Sequence, residues 1–208
     1  MGTVMLLWVL NFGISILNAW GCGHTWNESK AEGGFVHFLN WCGATMSACG
    51  FTWCYTIVLA FIGSMIPIEQ DDGTTAMLLD AQALQATLEL GYVVIILPVL
   101  GSGLVITLET WAHFWRRRTF GSGALAGYNT FAQIHNIYSA AQTLPGVFDH
   151  LGDFFGGDSG GKKDFRLIIV VVIVAVAVLG GILTTWMIIR TTASSVANTR
   201  TFENEMRR

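Results

Sequence analysis

Glu109, His113 and Arg116 or Arg117 recur one turn apart in the segment ITLETWAHFWRRRTF, residues 106–120. On a helix, side chains three or four positions apart face one another. A carboxylate, an imidazole and a guanidinium in this order therefore form a ladder. Buried at the middle of a membrane, such a ladder relays protons; at its edge it pairs charges in contact with water. The flanking residues place it at the edge. Trp111 and Trp115 are the indoles of a headgroup-level belt, and Arg116, Arg117 and Arg118 stop a span at the cytoplasmic surface. Glu109, Trp111, His113, Trp115 and Arg116–Arg118 are read as a membrane-interface anchor.

Four cysteines and five histidines raise the question of a metal. Cys22 and His24 are two apart, and Cys42, Cys49 and Cys54 fall in one apolar stretch. Structural zinc needs close pairs such as C-x2-C with a second matching pair, and none is present. Cysteine also packs as a small hydrophobe. His37 and Asn40 offer themselves to a pigment or haem, but one histidine beside the start of an apolar run reads better as an interface residue. Asn27-Glu28-Ser29 is a glycosylation acceptor only if it faces outward. Gly101-x-Gly103 has no strand before it and is no nucleotide fingerprint. Nucleophile–base arrangements, phosphate loops and paired mid-span carboxylates are all missing from the sequence. We expect no catalytic residue, no metal, no cofactor and no enzyme activity.

Two further patterns concern packing. Asn11, Ser15 and Asn18 make a polar stripe at helical spacing. An asparagine is costly in lipid unless it is paired, so the stripe is either a hydrogen-bonded seam with a second helix or one wall of a polar conduit. Gly43, Ser47, Gly50 and Cys54 make a strip of small residues, and Ala177, Gly180, Gly181 and Thr184 make another. Helices in lipid associate through such strips, because close backbone approach replaces the missing hydrophobic drive.

The elements that carry these residues follow from the distribution of charge. The chain is 52% hydrophobic and only 12% charged, about half the charge of an ordinary soluble domain. Charge-free runs of the length a bilayer requires, about 20 residues, predict spans over 4–20, 35–66, 90–111 and 167–189. The fold class is an all-α integral membrane protein, a single polytopic domain of four transmembrane helices. No alternation marks a β-barrel. The first span has no lysine or arginine before it, unlike a secretory signal, and is read as retained. Residues 76–89 form an amphipathic helix, with Met77, Ala81, Leu84 and Leu88 on one face and Gln82, Gln85 and Glu89 on another; Thr74 or Thr75 is its expected cap. It runs on toward span 3, where Pro98 predicts a bend. Residues 119–166 are read as a long loop carrying a helix over about 123–142. Phe131, Ile134, Ile137 and Tyr138 share one face of that helix, and Asn129, Gln133 and Asn136 the other. It lies flat at the interface or packs on the bundle; re-entry and a fifth span are the alternatives. The remainder, 190–208, is a polar tail.

With four spans, one side holds Lys30, Arg116–Arg118, Lys162, Lys163 and Arg166, against Arg190, Arg200, Arg207 and Arg208 on the other, seven to four. The positive-inside rule then puts loops 20–34 and 112–166 in the cytoplasm and loop 67–89 outside, in a plasma or inner membrane. A fifth span would return the tail inside and change the balance to eight to three. Near-neutral net charge, −3, and the absence of a basic cluster exclude a nucleic-acid groove. The expected partners are the lipid bilayer and other membrane or peripheral proteins, in a homo- or hetero-oligomer. The expected function is that of a structural or assembly subunit of a larger membrane complex. A subunit of an oligomeric channel is the second reading, and a membrane enzyme or cofactor carrier the third.

Overall fold

A computed structural model describes residues 2–69, 73–156 and 162–207. Five α-helices and one small hairpin account for nearly all of them: α1 Gly2–Glu32, α2 Gly34–Gly63, β1 Pro67–Glu69, β2 Thr75–Met77, α3 Ala81–Arg117, α4 Phe120–Gly156 and α5 Lys162–Met206. The chain is all-α in class. Four of the helices, α1, α2, α3 and α5, are long and apolar enough to cross a membrane.

The turns have local causes. α1 reverses into α2 through Gly33 and Gly34, whose φ values of 67° and 58° are open to glycine and strained for other residues. The hairpin is antiparallel, pairing Pro67 with Met77 and Glu69 with Thr75. Leu79 then turns inward and is buried against Gly63, where a Cβ would come within 2.8 Å of its methyl. Asp80 caps α3: one carboxylate oxygen accepts from the Ala83 amide at 2.9 Å, and the other pairs with Arg166 of α5 at 2.7 Å. At the far end of α3, Arg118 takes a left-handed conformation and closes the helix on the Phe114 carbonyl. Thr119 and Ser122 then cap α4 reciprocally, each hydroxyl accepting the other's amide hydrogen at 3.2 Å, the logic of a capping box.

α2 is the central helix. It packs on α1, α3 and α5; α1 also packs on α5, and α4 packs on α3. Much of what is buried is small, including Ala19, Ala44, Ser47, Cys54, Ala60, Ala83, Ala126 and Ala177, beside a few large side chains such as Phe51, Leu79 and Ile189. What is uncovered is large and apolar, including Leu17, Phe61, Leu97, Leu108, Phe131 and Leu183. A soluble domain has the opposite arrangement. Small residues inside and bulky apolar ones outside is compatible with a membrane-embedded protein.

Several boundaries differ from those expected. Residues 76–80 are strand and turn, so the helix expected over 76–89 starts at Ala81, capped by Asp80 rather than by Thr74 or Thr75, and is continuous with α3. Most of the loop expected over 20–34 is the end of α1. The expected loop 119–166 is mainly α4, 37 residues long rather than the 20 of 123–142. The expected tail is helical as far as Met206. That tail is tied to the end of α1 by an ion pair between Arg200 and Glu28 and by a hydrogen bond from Asn27 to the Ala193 carbonyl at 3.2 Å.

Of the two placements expected for the helix over 123–142, packing on the bundle is the one α4 adopts. It runs antiparallel to α3 along its length. Rungs follow in order: the Phe114 ring against Gly123, Trp111 Nε1 to Thr130 Oγ1 at 2.8 Å, Gln133 Nε2 to the Leu100 carbonyl at 2.9 Å, and Tyr92 Oη to Ser139 Oγ at 3.4 Å. The last is Glu89 with His150 at 2.9 Å. From Glu89 to Phe114 is about 38 Å of helix, more than the roughly 30 Å of a hydrocarbon core. A helix lying flat across the end of the bundle would not make this series of contacts.

Candidate functional site

Two thirds of the polar stripe on α1 is a seam. Asn11 donates from Nδ2 to the Gly50 carbonyl at 3.1 Å and lies 3.3 Å from Cys54 Sγ. Ser15 donates to the Asn11 carbonyl at 2.8 Å. Ser47 donates to the Ser15 carbonyl at 2.7 Å and meets Thr185 of α5 at 3.2 Å, so one hydroxyl joins three helices. The small-residue strips make these approaches. A Cβ on Gly50 would stand 2.0 Å from Ser15 Oγ, and one on Gly43 would stand 2.7 Å from Cys22 Sγ. On α5, Ala177 is fully buried, Gly180 lies under the Tyr55 ring, and Gly181 presses on Thr52 and the Ala48 carbonyl. Thr184 meets Tyr55 Oη at 2.9 Å.

Asn18 is different. It is uncovered by α2 and faces a groove of about 180 Å³ between α1 and α4, floored by Gly43 and Met46 of α2 and by Gly103 and Ile106 of α3. The opposite wall carries Thr107, Tyr128, Asn129, Gln133 and Asn136. Two stripes that look unrelated in the sequence, Asn18 on α1 and Asn129/Gln133/Asn136 on α4, thus share one depression. Gln133 is 6% exposed; its Nε2 bonds the Leu100 carbonyl, while its Oε1 is buried against Gly103 with no hydrogen-bond partner among the described residues. The lining holds amides and hydroxyls, without carboxylate, imidazole or thiol. It can hydrogen-bond a polar group.

The interface anchor is organised differently from a ladder. Arg116 reaches two turns back to Glu109, passing over the intervening turn, and His113 makes no hydrogen bond among the described residues. Trp111 is tied to Thr130, Arg118 lies over the Trp115 ring at 5.9 Å, and Arg117 is exposed.

The cysteines and histidines are dispersed. Cys22, Cys42, Cys49 and Cys54 are free and buried, and no group of three metal-binding side chains converges among the described residues. His37 has both ring nitrogens engaged: Nε2 accepts from Trp41 Nε1 at 3.2 Å, which leaves Nδ1 to donate to Ser29 Oγ at 3.2 Å. Asn40 donates to the Cys22 carbonyl and to Ser29. Both residues hold the α1–α2 turn.

One cluster had no signature in the sequence. At the hairpin end, Gln85 and Glu89 of α3 meet His150 of α4, each at 2.9 Å from Nδ1. The Glu89 carboxylate, by hydrogen bond and by charge, raises the His150 pKa above its ordinary 6.5, with smaller help from Asp153 and Asp149. The partners are 61 and 65 residues from His150 in the sequence, and only the α3–α4 register brings them together. Comparison of the sequence with protein-family models and with curated proteins, and of the fold with solved structures, returned no match.

Proposed function

We propose that this chain is a non-enzymatic membrane subunit that builds a larger assembly by receiving a partner's transmembrane helix in the groove between α1 and α4. The observation that carries this reading is the depth of the polar lining. Gln133 is level with Leu100, halfway along the uncharged stretch of α3. If α3 crosses the bilayer, its antiparallel companion α4 crosses too, and Asn18 and Asn136 stand near mid-membrane without a protein neighbour to close the groove, while Asn129, nearer the Trp111 end, reaches Thr110 Oγ1 at 3.5 Å. Uncovered amides at that depth are costly, and a polar or small-residue face on an adjoining helix would relieve the cost.

The topology that goes with this reading has five crossings. The arginine-rich end then holds Lys30, Arg116–Arg118 and the four arginines of 190–208, eight of the eleven basic residues, and the hairpin end holds three. By the positive-inside rule the arginine-rich end is cytoplasmic, in a plasma or inner membrane, with the hairpin 67–77 outside.

A photoreactive residue at Asn18 or Asn136 in cells should crosslink to protein, whereas one at Leu97 on the outer face of α3 should label lipid alone. Lipid labelling at all three positions would remove the proposal. The polar character of the lining also supports a second reading, in which several copies turn their grooves toward a common axis and form a channel. Vesicles containing the purified protein would then pass ions or small polar solutes, and Asn18→Leu would abolish the flux. Tight vesicles rule this reading out.

A further inference from the structure

α4 keeps a seven-residue spacing on both of its sides. Ala126, Gln133, Ala140 and Val147 fall seven apart and are all buried, on the side that packs on α3. That spacing belongs to helices paired with a slight left-handed twist, at 3.5 residues per turn. On the opposite side Tyr128, Phe131, His135, Tyr138 and Gln142 follow at alternating steps of three and four, and all five are exposed. With the buried line at the f positions, these five occupy the a and d positions of a second seam. No carboxylate, lysine or arginine lies between Phe120 and Phe148 to disturb it. The seam is not plain hydrocarbon. His135 is two residues, about 3 Å along the axis, from Gln133, which reaches the Leu100 carbonyl. Its imidazole makes no hydrogen bond among the described residues. Gln142 Nε2 donates to Tyr138 Oη at 2.6 Å, which leaves the tyrosine proton and the Gln142 carbonyl oxygen to be matched.

We propose that this seam pairs with the same seam of a second copy, α4 against α4, around a two-fold axis along the membrane normal. The inference rests on the reading that α4 crosses the bilayer. It does not depend on what fills the α1–α4 groove, which lies on another side of the helix; only Tyr128 borders both. At that depth unpaired polar groups are costly, and the seam is complementary to itself. Two copies inserted the same way and related by a two-fold axis lie parallel and in register, so each seam residue meets its own counterpart. A neutral imidazole carries one N–H and one bare nitrogen, so one His135 donates to the other. The donor left on Tyr138 and the acceptor left on Gln142 are four residues apart, the step between neighbouring layers of a parallel pair. Each copy thus supplies what the other lacks.

The test is oxidative crosslinking of cysteine variants in native membranes, with the unaltered chain as background because its four cysteines are buried. Phe131→Cys and Tyr138→Cys should give a disulfide-linked species of twice the chain mass. Ile137→Cys, at the same depth on the flank of α4, should not. Equal crosslinking at all three positions, none at either seam position, or adducts to a different protein would overturn the proposal. An impermeant maleimide that labels Phe131→Cys would defeat the crossing of α4 and the pairing with it; a seam cysteine shielded from that reagent and still not crosslinked defeats the pairing alone. In vesicles, energy transfer between donor- and acceptor-labelled chains should report a dimer whose dissociation constant rises about tenfold in His135→Leu, the worth of one interhelical hydrogen bond. His135→Gln, which restores a donor and an acceptor, should recover it. Leucine on an exposed face leaves the fold intact, so an affinity unchanged by His135→Leu would equally overturn the proposal.

Discussion

Gly181 and Gly13 show how much one hydrogen atom decides when helices pack on backbone. A Cβ at Gly181 would meet Thr52 Oγ1 at 2.4 Å and the Ala48 carbonyl at 2.6 Å, and the second of these is main chain that cannot rotate away. A Cβ at Gly13 would meet nothing within 4 Å. Gly181→Ala should therefore separate α5 from α2 and cost about 1–3 kcal/mol, the usual penalty of overpacking. Gly13→Ala should hold or raise stability by up to about 1 kcal/mol through helix propensity. Thermal unfolding of the two variants in one detergent measures both; equal losses would mean that the α2–α5 seam is not tightly closed. Gln133 is the residue-scale counterpart in the groove: its amide reaches across to the Leu100 carbonyl only because Gly103 leaves room for it.

The α3–α4 pair is the element whose behaviour depends on pH. His150 gains a partner in the folded state, so its folded pKa lies above the unfolded value near 6.5. The contribution of the Glu89 contact is then fully present below that unfolded value and is lost as pH rises through the raised one. The thermal midpoint should fall on going from about pH 6 to about pH 9, and His150→Gln should flatten the profile over that window. A parent profile already flat there would show that the contact contributes nothing to the pairing. The same pair marks how far the sequence could be read. The apolar stretches of α1, α2, α3 and α5 were plain from missing charge. α4 was not, because Asn129, Gln133, His135 and Asn136 interrupt it and only the companion helix α3 supplies partners for some of them. The stripes of Asn11–Asn18 and Gly43–Cys54 were visible as spacing. That Asn18 leaves the seam and joins the amides of α4 depends on α1 and α3 both flanking α2 while α4 packs on α3, a tertiary fact without a local signature. The cap at Asp80 was missed because the hairpin moves the helix start by five residues.

At the scale of the whole molecule, the five crossings proposed above would put the α1–α2 turn, the α3–α4 turn and the end of α5 on one side. A glycosylation or alkaline-phosphatase reporter inserted after Gly33, after Thr119 and after Met206 should report the same compartment all three times, and an insertion after Gly73 the other. A reporter at Met206 that sides with Gly73 would return the chain to four crossings. α5 itself has a consequence of another kind. It runs 45 residues without a proline, and its segment from Arg190 to Met206 alone measures about 24 Å. Braced by Glu28 and Asn27 on α1, it is a rigid mast. Whatever attaches to its tip is held at a set distance from the bundle, and a push or twist delivered there travels along one continuous rod to the glycines that bear against α2.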